Sequence, residues 1–331
     1  MAEPGLSELI TTTLRARTGK IFDNVSNNDP LLMRMKKSGN VKMGEHGRSL
    51  IEEHDYAENQ SFMRYEGAEV LDTSRAPVFS AFEYSFKQAA VNVQINGLEE
   101  IQNAGPEASI KLFAARLANA ERTIKNRIAS DIRSDGSESG GKQIGGLDYL
   151  FPEDVTTGSI GGVSRSANAY ARSKKIAAVA DDGAAVSITS IERLMRSLMI
   201  QTHRDGDTNR LWVLGNDFWA LLSEAASSRQ RFIESDADMV KIGVSSIKVD
   251  GVTAILGGGY QFAASGATAH DSTTAYLLNL DTIKLRIGGN RFFSPLGDRE
   301  STNQDSRIKF LCFAGNLTCS CPSLNARLYN S

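Results

Sequence analysis

The sequence predicts an α+β fold with mixed sheets and two long projections, and three observations predict it. Ile110, Phe113, Leu117, Ile124, Ile128 and Ile132 recur at spacings built from threes and fours, which marks one long amphipathic helix. Runs with strand character lie on both sides of it, at 79–95, 211–214, 247–255, 276–287 and 308–317. Two stretches, residues 1–50 and 58–76, carry too little apolar residue for a core of their own and are read as projections.

Taken in order, the first fifty residues read as an arm that lies on another surface. Turn formers crowd Asp23-Asn24-Val25-Ser26-Asn27-Asn28-Asp29-Pro30, and a short apolar and basic run follows, Leu31-Leu32-Met33-Arg34-Met35-Lys36-Lys37. Arg15, Arg17, Lys20, Arg34, Lys36, Lys37 and Lys42 outnumber Asp23, Asp29 and Glu45, so the arm is basic. Residues 47–57 and 77–95 are β-prone, with Phe79, Phe82, Tyr84, Phe86, Val91, Val93 and Ile95 in the second run. Between them, residues 58–76 are polar with isolated aromatics at Phe62 and Tyr65. So long an unstructured connection is uncommon inside a compact domain, which points to a projecting two-stranded flap with a reach of roughly 40 Å.

Gly105-Pro106-Glu107 starts the long helix, with proline in its first turn and an acid beside the positive end of its dipole. It stops at Ser134-Asp135-Gly136, about 40 Å further on at about 1.5 Å per residue. Its polar face carries Lys111, Arg116, Arg122, Lys125, Arg127 and Arg133 against Glu107, Glu121 and Asp131. A Gly/Ser-rich stretch at 134–146 leads to a second region, whose start at 160–178 reads as loops. Thr189-Ser190-Ile191-Glu192 reads as a capping box before the helix of Ile191, Leu194, Met195, Leu198 and Met199. Leu211-Trp212-Val213-Leu214 reads as a buried strand, Asn216 as the cap of the next helix, and Asp250-Gly251 as the turn of a hairpin over 247–255.

Composition bounds the function. The 331 residues leave room for two or three domains, and the net charge of −2 excludes a uniformly basic chain that coats nucleic acid by charge alone. No run of about 18 apolar residues is present to span a membrane as a helix. Met1-Ala2-Glu3-Pro4-Gly5 lacks the basic-then-apolar order of a signal peptide, so the expected compartment is a cytoplasm. In such a compartment Cys312, Cys319 and Cys321 read as buried strand cysteines rather than as a disulfide framework or zinc ligands.

Motifs that carry chemistry are weak. Gly161-Gly162 and Gly257-Gly258-Gly259 lack the residues of a P-loop or a dinucleotide fingerprint and read as turns. Asp205-Gly206-Asp207-Thr208-Asn209 begins like a calcium loop, but Arg210 and Asn216 stand where glycine and glutamate are needed. His46, His54, His203 and His270 are scattered, and Glu52-Glu53-His54 reads as a solvated charge cluster on an exposed strand. The sequence thus predicts no catalytic residue, no cofactor and no metal site.

The order of parts resembles the major capsid proteins of tailed bacteriophages, the Hong Kong 97-type fold. The resemblance extends to Gly146-Leu147-Asp148-Tyr149-Leu150-Phe151, to Gly161-Gly162-Val163-Ser164-Arg165-Ser166-Ala167-Asn168, to Asn303-Gln304-Asp305 and to Ala314-Gly315-Asn316-Leu317-Thr318-Cys319-Ser320. It implies an N-terminal arm (1–50), an extended loop (51–90), a peripheral domain with a spine helix (91–144), an axial domain (145–289) and C-terminal strands returning to the peripheral domain (290–331). It also implies self-assembly into hexamers and pentamers of an icosahedral head that encloses double-stranded DNA. The expected partners are a separate scaffolding protein, a portal and a decoration protein, with synthesis in the bacterial host and residence in the virion. Leu31, Met33, Phe62, Arg64 and Tyr65 are the candidate intersubunit contacts. Arg15, Arg17, Lys36, Lys37, Arg122 and Lys125 are the candidate DNA-facing residues, with intersubunit ion pairing or solubility as the alternative role of those charges. Residues 53–86 contain no lysine and Lys87 sits at their base, which argues against the covalent crosslink of some relatives. An encapsulin-type compartment is the alternative within the fold, and a soluble enzyme with an unrecognised site is the alternative from another class.

Overall fold

The computed structural model describes residues 29–71, 74, 77–96, 106–204, 209–228, 247–257, 272–300 and 306–330. Two larger sheets organise them. A six-stranded sheet has the order Lys174–Ala177 (β7), Ala326–Tyr329 (β14), Thr274–Asn279 (β11), Arg210–Leu214 (β8), Val252–Leu256 (β10), Ile247–Val249 (β9), and a four-stranded sheet has the order Val41–Glu45 (β1), Ile283–Glu300 (β12), Ser306–Cys319 (β13), Lys87–Asn96 (β4).

The six-stranded sheet comprises β7 (Lys174–Ala177), β8 (Arg210–Leu214), β9 (Ile247–Val249), β10 (Val252–Leu256), β11 (Thr274–Asn279) and β14 (Ala326–Tyr329). It separates two cores, so its central strands are apolar on both faces. Leu211, Val213, Tyr276 and Leu278 point into one core, while Trp212, Leu214, Ala275 and Leu277 point into the other. The second core is roofed by α5 (Ile191–Gln201) and α6 (Asn216–Ser228), through Leu194, Met195, Leu198, Phe218 and Leu222. At the β9–β10 hairpin Asp250 and Gly251 both take positive φ, 46° and 84°, as the expected two-residue turn requires.

Several local expectations are corrected. Residues 160–178 are not all loop: Ser159–Ile160 (β5) pairs with Val163–Ser164 (β6), and β7 joins the sheet beside β14. The capping box does not form, because Ser190 makes no side-chain cap to α5 and its Oγ instead accepts from the Ser187 amide. The first amides of α6 donate to the Ser272 carbonyl. The returning strands also divide: β13 (Ser306–Cys319) joins the four-stranded sheet, but β14 belongs to the six-stranded one. Cys312 and Cys319 are buried in β13, whereas Cys321 lies past its end and is half-buried. The Asp205–Asp207 motif, Gly258 and Gly259 lie outside the described residues.

In the four-stranded sheet β12 (Ile283–Glu300) and β13 form a long antiparallel ribbon in register from Ile283↔Cys319 to Glu300↔Arg307, with bulges that bend it. β4 (Lys87–Asn96) pairs with β13, and β1 (Val41–Glu45) runs parallel to β12. The long helix, α2, spans Pro106–Asp131 and buries Leu117, Ala120, Ile124 and Ile128 along one stripe. Each such aliphatic contributes about 1.5–3 kcal/mol when fully buried. Past its end the chain turns tightly: a Cβ on Gly146 would stand 2.4–2.6 Å from the carbonyl oxygens of Asp131, Ser134 and Ile132, so no larger residue fits.

The segment read as an arm differs most. From Asp29 onward the chain folds into its own core. Leu31, Leu32 and Met35 of α1 (Pro30–Lys37) are buried, because an i, i+1, i+4 set gives even a two-turn helix one continuous apolar face. Asp29 caps α1, accepting from the amides of Leu31 (2.9 Å) and Leu32 (3.4 Å). The same carboxylate holds the buried Arg133 guanidinium at 2.6 and 3.1 Å. Arg133, expected on the polar face of the long helix, is thus an internal tie between that helix and α1. Removing the cation should leave a buried carboxylate unpaired, at a cost of about 3–5 kcal/mol. Chemical denaturation should show that loss for Arg133→Ala and a smaller one for the double variant Asp29→Ser, Arg133→Met; equal losses would mean the pair does not act as a unit.

Candidate functional site

The features that stand out beyond the core belong to a β-hairpin, β2 (Ser49–Asp55) and β3 (Phe79–Ser85), paired from Ser49↔Ser85 to Asp55↔Phe79. Strand periodicity gives it two unlike faces. Leu50, Glu52, Phe82 and Tyr84 point inward and are buried, while Ile51 and Phe79 point outward and are exposed.

The inward face is held by charge and by close approach. Glu52, 5% exposed, accepts from Lys284 Nζ at 3.0 Å, Arg286 Nη1 at 3.1 Å and Thr318 Oγ1 at 2.9 Å. Arg286 also takes both oxygens of Glu45 at 3.0 and 3.1 Å and donates to the Ile51 carbonyl at 2.7 Å. One guanidinium thereby joins β1, β2 and β12. The Glu52-Glu53-His54 stretch, read as solvated, is corrected at Glu52: the residue lies on the buried face and its charge is neutralised there. The Tyr84 hydroxyl donates to the Cys319 carbonyl at 2.9 Å and accepts from the Cys319 amide at 3.3 Å; burial pushes its pKa well up. Glu83 N–H donates to the Gly161 carbonyl, and Gly161, at φ 52°, lets the backbone approach so closely that a Cβ would sit 2.6 Å from that of Phe82. Near the outer end the His54 ring stands 5.7 Å from Phe82 and 5.5 Å from Tyr170, and Tyr56 stacks on Tyr170 at 4.7 Å.

Beyond Asp55 one more cross-strand bond follows, from the Tyr56 amide to the Val78 carbonyl at 3.0 Å, and the chain then runs through exposed turns. Phe62 is 77% exposed, Tyr65 63% and Val70 90%; Met63 and Leu71 are exposed as well. The Arg64 guanidinium lies 6.0 Å from the centroid of the Phe62 ring. So many large apolar side chains on one projection make this the candidate interaction surface. Of the candidate contacts, Phe62, Arg64 and Tyr65 are brought together here. Leu31 is 1% exposed inside the chain's own core and Met33 is half-buried on α1, so neither joins this surface, and the buried Leu31 side chain is not available to a neighbour. Ile51, Phe79, Val70 and Leu71 were missed; the alternation of 49–55 signals Ile51, whereas nothing in the polar run around Val70 signals its exposure.

Of the candidate DNA-facing residues, Arg122 is exposed on α2, Lys37 is exposed at the end of α1 and Lys36 is half-buried there. The Arg15 and Arg17 positions and the Lys125 side chain lie outside the described residues. Among the described residues no group of three or more His, Cys, Asp or Glu is placed to hold a metal, and no helix is long and apolar enough to cross a membrane.

Burial lowers the pKa of His54, an effect Asp55 opposes and Arg204 reinforces. The unfolded chain therefore takes up its proton first as the pH falls through the ordinary value near 6.5, and stability is lost in that window. Urea midpoints between about pH 7.5 and about pH 5.5 should fall further for the wild type than for His54→Phe, which keeps a ring between Phe82 and Tyr170; parallel curves would contradict the assignment.

No family model and no curated relative matches the sequence. Solved structures do. The capsid asymmetric unit of cyanophage A-1(L) matches at a TM-score of 0.62 with 13% identity, over 92% of this chain and 93% of that one. The capsid of an empty GTA particle matches at 0.57 with 11% identity, over 90% of each chain. The holo-SrpI encapsulin of Synechococcus elongatus matches at 0.54 with 10% identity, over 90% of this chain and 87% of that one. The chain thus has, nearly end to end, the α+β fold of phage capsid proteins, which an encapsulin shares.

Proposed function

We propose that this chain is the major capsid protein of a tailed phage, a structural subunit that assembles through hexamers and pentamers into an icosahedral head around double-stranded DNA. The observation that carries the reading is the fold likeness to the cyanophage capsid over more than nine-tenths of both chains. In this reading 51–90 supply the extended loop, 91–144 and most of 290–331 the peripheral domain with its spine helix α2, and 145–289 the axial domain, while residues 29–50, expected within the arm, pack on the subunit's own core. The split of the returning strands, β13 to one sheet and β14 to the other, ties the two domains in sequence as well as in packing. Exposed cations such as Arg122 and Lys37 would add salt-sensitive, sequence-independent attraction to packaged DNA. Scaffolding, portal and decoration proteins are the further partners the reading entails.

The energetics suit an assembly of weak contacts. Burying a large apolar side chain contributes about 1.5–3 kcal/mol, so three or four from the hairpin give about 5–12 kcal/mol. Association costs about 4–15 kcal/mol in lost freedom. One contact is marginal, and a closed shell in which each subunit makes several is stable. The encapsulin match supports the second reading, a compartment around a protein cargo. Purified particles separate the two: negative-stain microscopy should show closed shells that protect nucleic acid from nuclease when phage DNA is packaged, whereas shells that hold protein cargo would favour the compartment. Tyr65→Asp should leave the circular dichroism unchanged and lower the yield of shells at least tenfold; a monomer in every condition for the wild type would overturn both readings.

A further inference from the structure

Past the end of α2 the chain is tied to the six-stranded sheet by a knot of charged and aromatic side chains. The Leu147 amide donates to the Ile132 carbonyl at 2.7 Å, which fixes the helical turn Leu147–Leu150 against the end of the long helix. Asp148 on that turn accepts from the hydroxyl of the buried Tyr276 on β11 and from Arg327 Nη1 on β14 at 2.9 Å, both through Oδ1. Arg327 also donates to Glu153 Oε1 at 2.9 Å and to the Phe151 carbonyl at 3.2 Å. We propose that Asp148 takes up a proton in mild acid and thereby tightens this joint between the long helix and the six-stranded sheet.

Charge is unbalanced in the knot. Asp148 and Glu153 share one guanidinium, which leaves one negative charge in excess. The neighbouring groups do not offset it. Asp135, in the loop past α2, adds a further negative charge that Asp148 senses, and the Nζ of Lys175 on β7 lies 3.4 Å from the Tyr329 hydroxyl rather than on either shared carboxylate. Tyr329 donates to the Glu153 backbone carbonyl at 3.3 Å, and the Tyr329 and Tyr276 ring centroids stand 5.5 and 5.3 Å from the guanidinium. The proton goes to Asp148 because the Glu153 side chain is 51% exposed and keeps its charge in water, whereas that of Asp148 is 24% exposed. Oδ2 has no partner among the described residues and receives the proton, while Oδ1 keeps both of its donors. Burial pushes the Asp148 carboxyl above its ordinary value near 3.8, with Arg327 and Tyr276 opposing and Asp135 and Glu153 adding to it. The folded chain therefore binds this proton before the unfolded chain does. The joint gains as the pH falls towards that value, the opposite sign to His54.

Hydrogen exchange on the full chain at about pH 7 and about pH 4.5, corrected for the intrinsic effect of pH, tests the proposal. Amides of residues 147–153 should gain protection at least about threefold on acidification in the wild type. They should stay unchanged in Asp148→Asn, which holds the neutral form at both pH values. Glu153→Gln, at an exposed position, leaves one carboxylate to one guanidinium and should show a smaller gain than the wild type. No gain in the wild type, or an equal gain in Asp148→Asn, would overturn the proposal. If Asp148→Asn does not fold, Glu153→Gln decides alone: a gain equal to that of the wild type would overturn it.

Discussion

The architecture turns on one buried carboxylate. Glu52 sits on the inward face of the hairpin, where it meets the two cations of β12, Lys284 and Arg286, and the hydroxyl of Thr318 on β13. An unpaired carboxylate there would cost several kcal/mol, so the hairpin docks in the one register that brings Glu52 to its partners. A slip of one residue would turn Glu52 and Leu50 to solvent and drive Ile51 inward, against Arg286. Arg286 extends the constraint, since its grip on Glu45 fixes β1 on the other side of the same strand. The projection is therefore firmly rooted although its far end has little beneath it.

From that root the two-faced character of the strand follows. Alternation that commits Leu50, Glu52, Phe82 and Tyr84 to the body commits Ile51 and Phe79 to the outside. Ile51 and Phe79 are then left exposed, as are Phe62, Tyr65 and Val70 beyond them. The inward face of this element holds the subunit together, and its outward face carries exposed apolar surface. The six-stranded sheet shows the contrasting case, in which both faces are covered and every residue of β11 is buried.

Much of this was legible in the sequence, and what was not has definite causes. The α2 stripe and the Asp250-Gly251 turn are local signals, and both gave the observed elements. The hairpin was legible as two β-prone runs around a polar interruption, but its length was not: the strands pair only from Ser49↔Ser85 to Asp55↔Phe79, about 20 Å at about 3.4 Å per residue, where a two-stranded reach of roughly 40 Å was expected. Long-range pairing was not legible. Arg133 looks like any helix-surface cation until Asp29, which folds in from 104 residues away, supplies its carboxylate. Glu52 looks solvated until Lys284 and Thr318 are brought to it. Lys174–Ala177 is too short to announce itself, and its place in the sheet depends on β14 near the other end of the chain. At the candidate site the aromatics Phe62 and Tyr65 were readable as residues out of character with their surroundings.

In the shell reading the hairpin is rooted in its own subunit and completes its burial on a neighbour. Hydrogen exchange of the free subunit and of the assembled shell tests it most directly. Amides of residues 58–71 should exchange freely in the subunit and become protected in the shell, while those of β2, β3 and the Leu285–Ile287 segment of β12 should be protected in both. Protection of 58–71 already in the free subunit, or none of it in the shell, would contradict the claim.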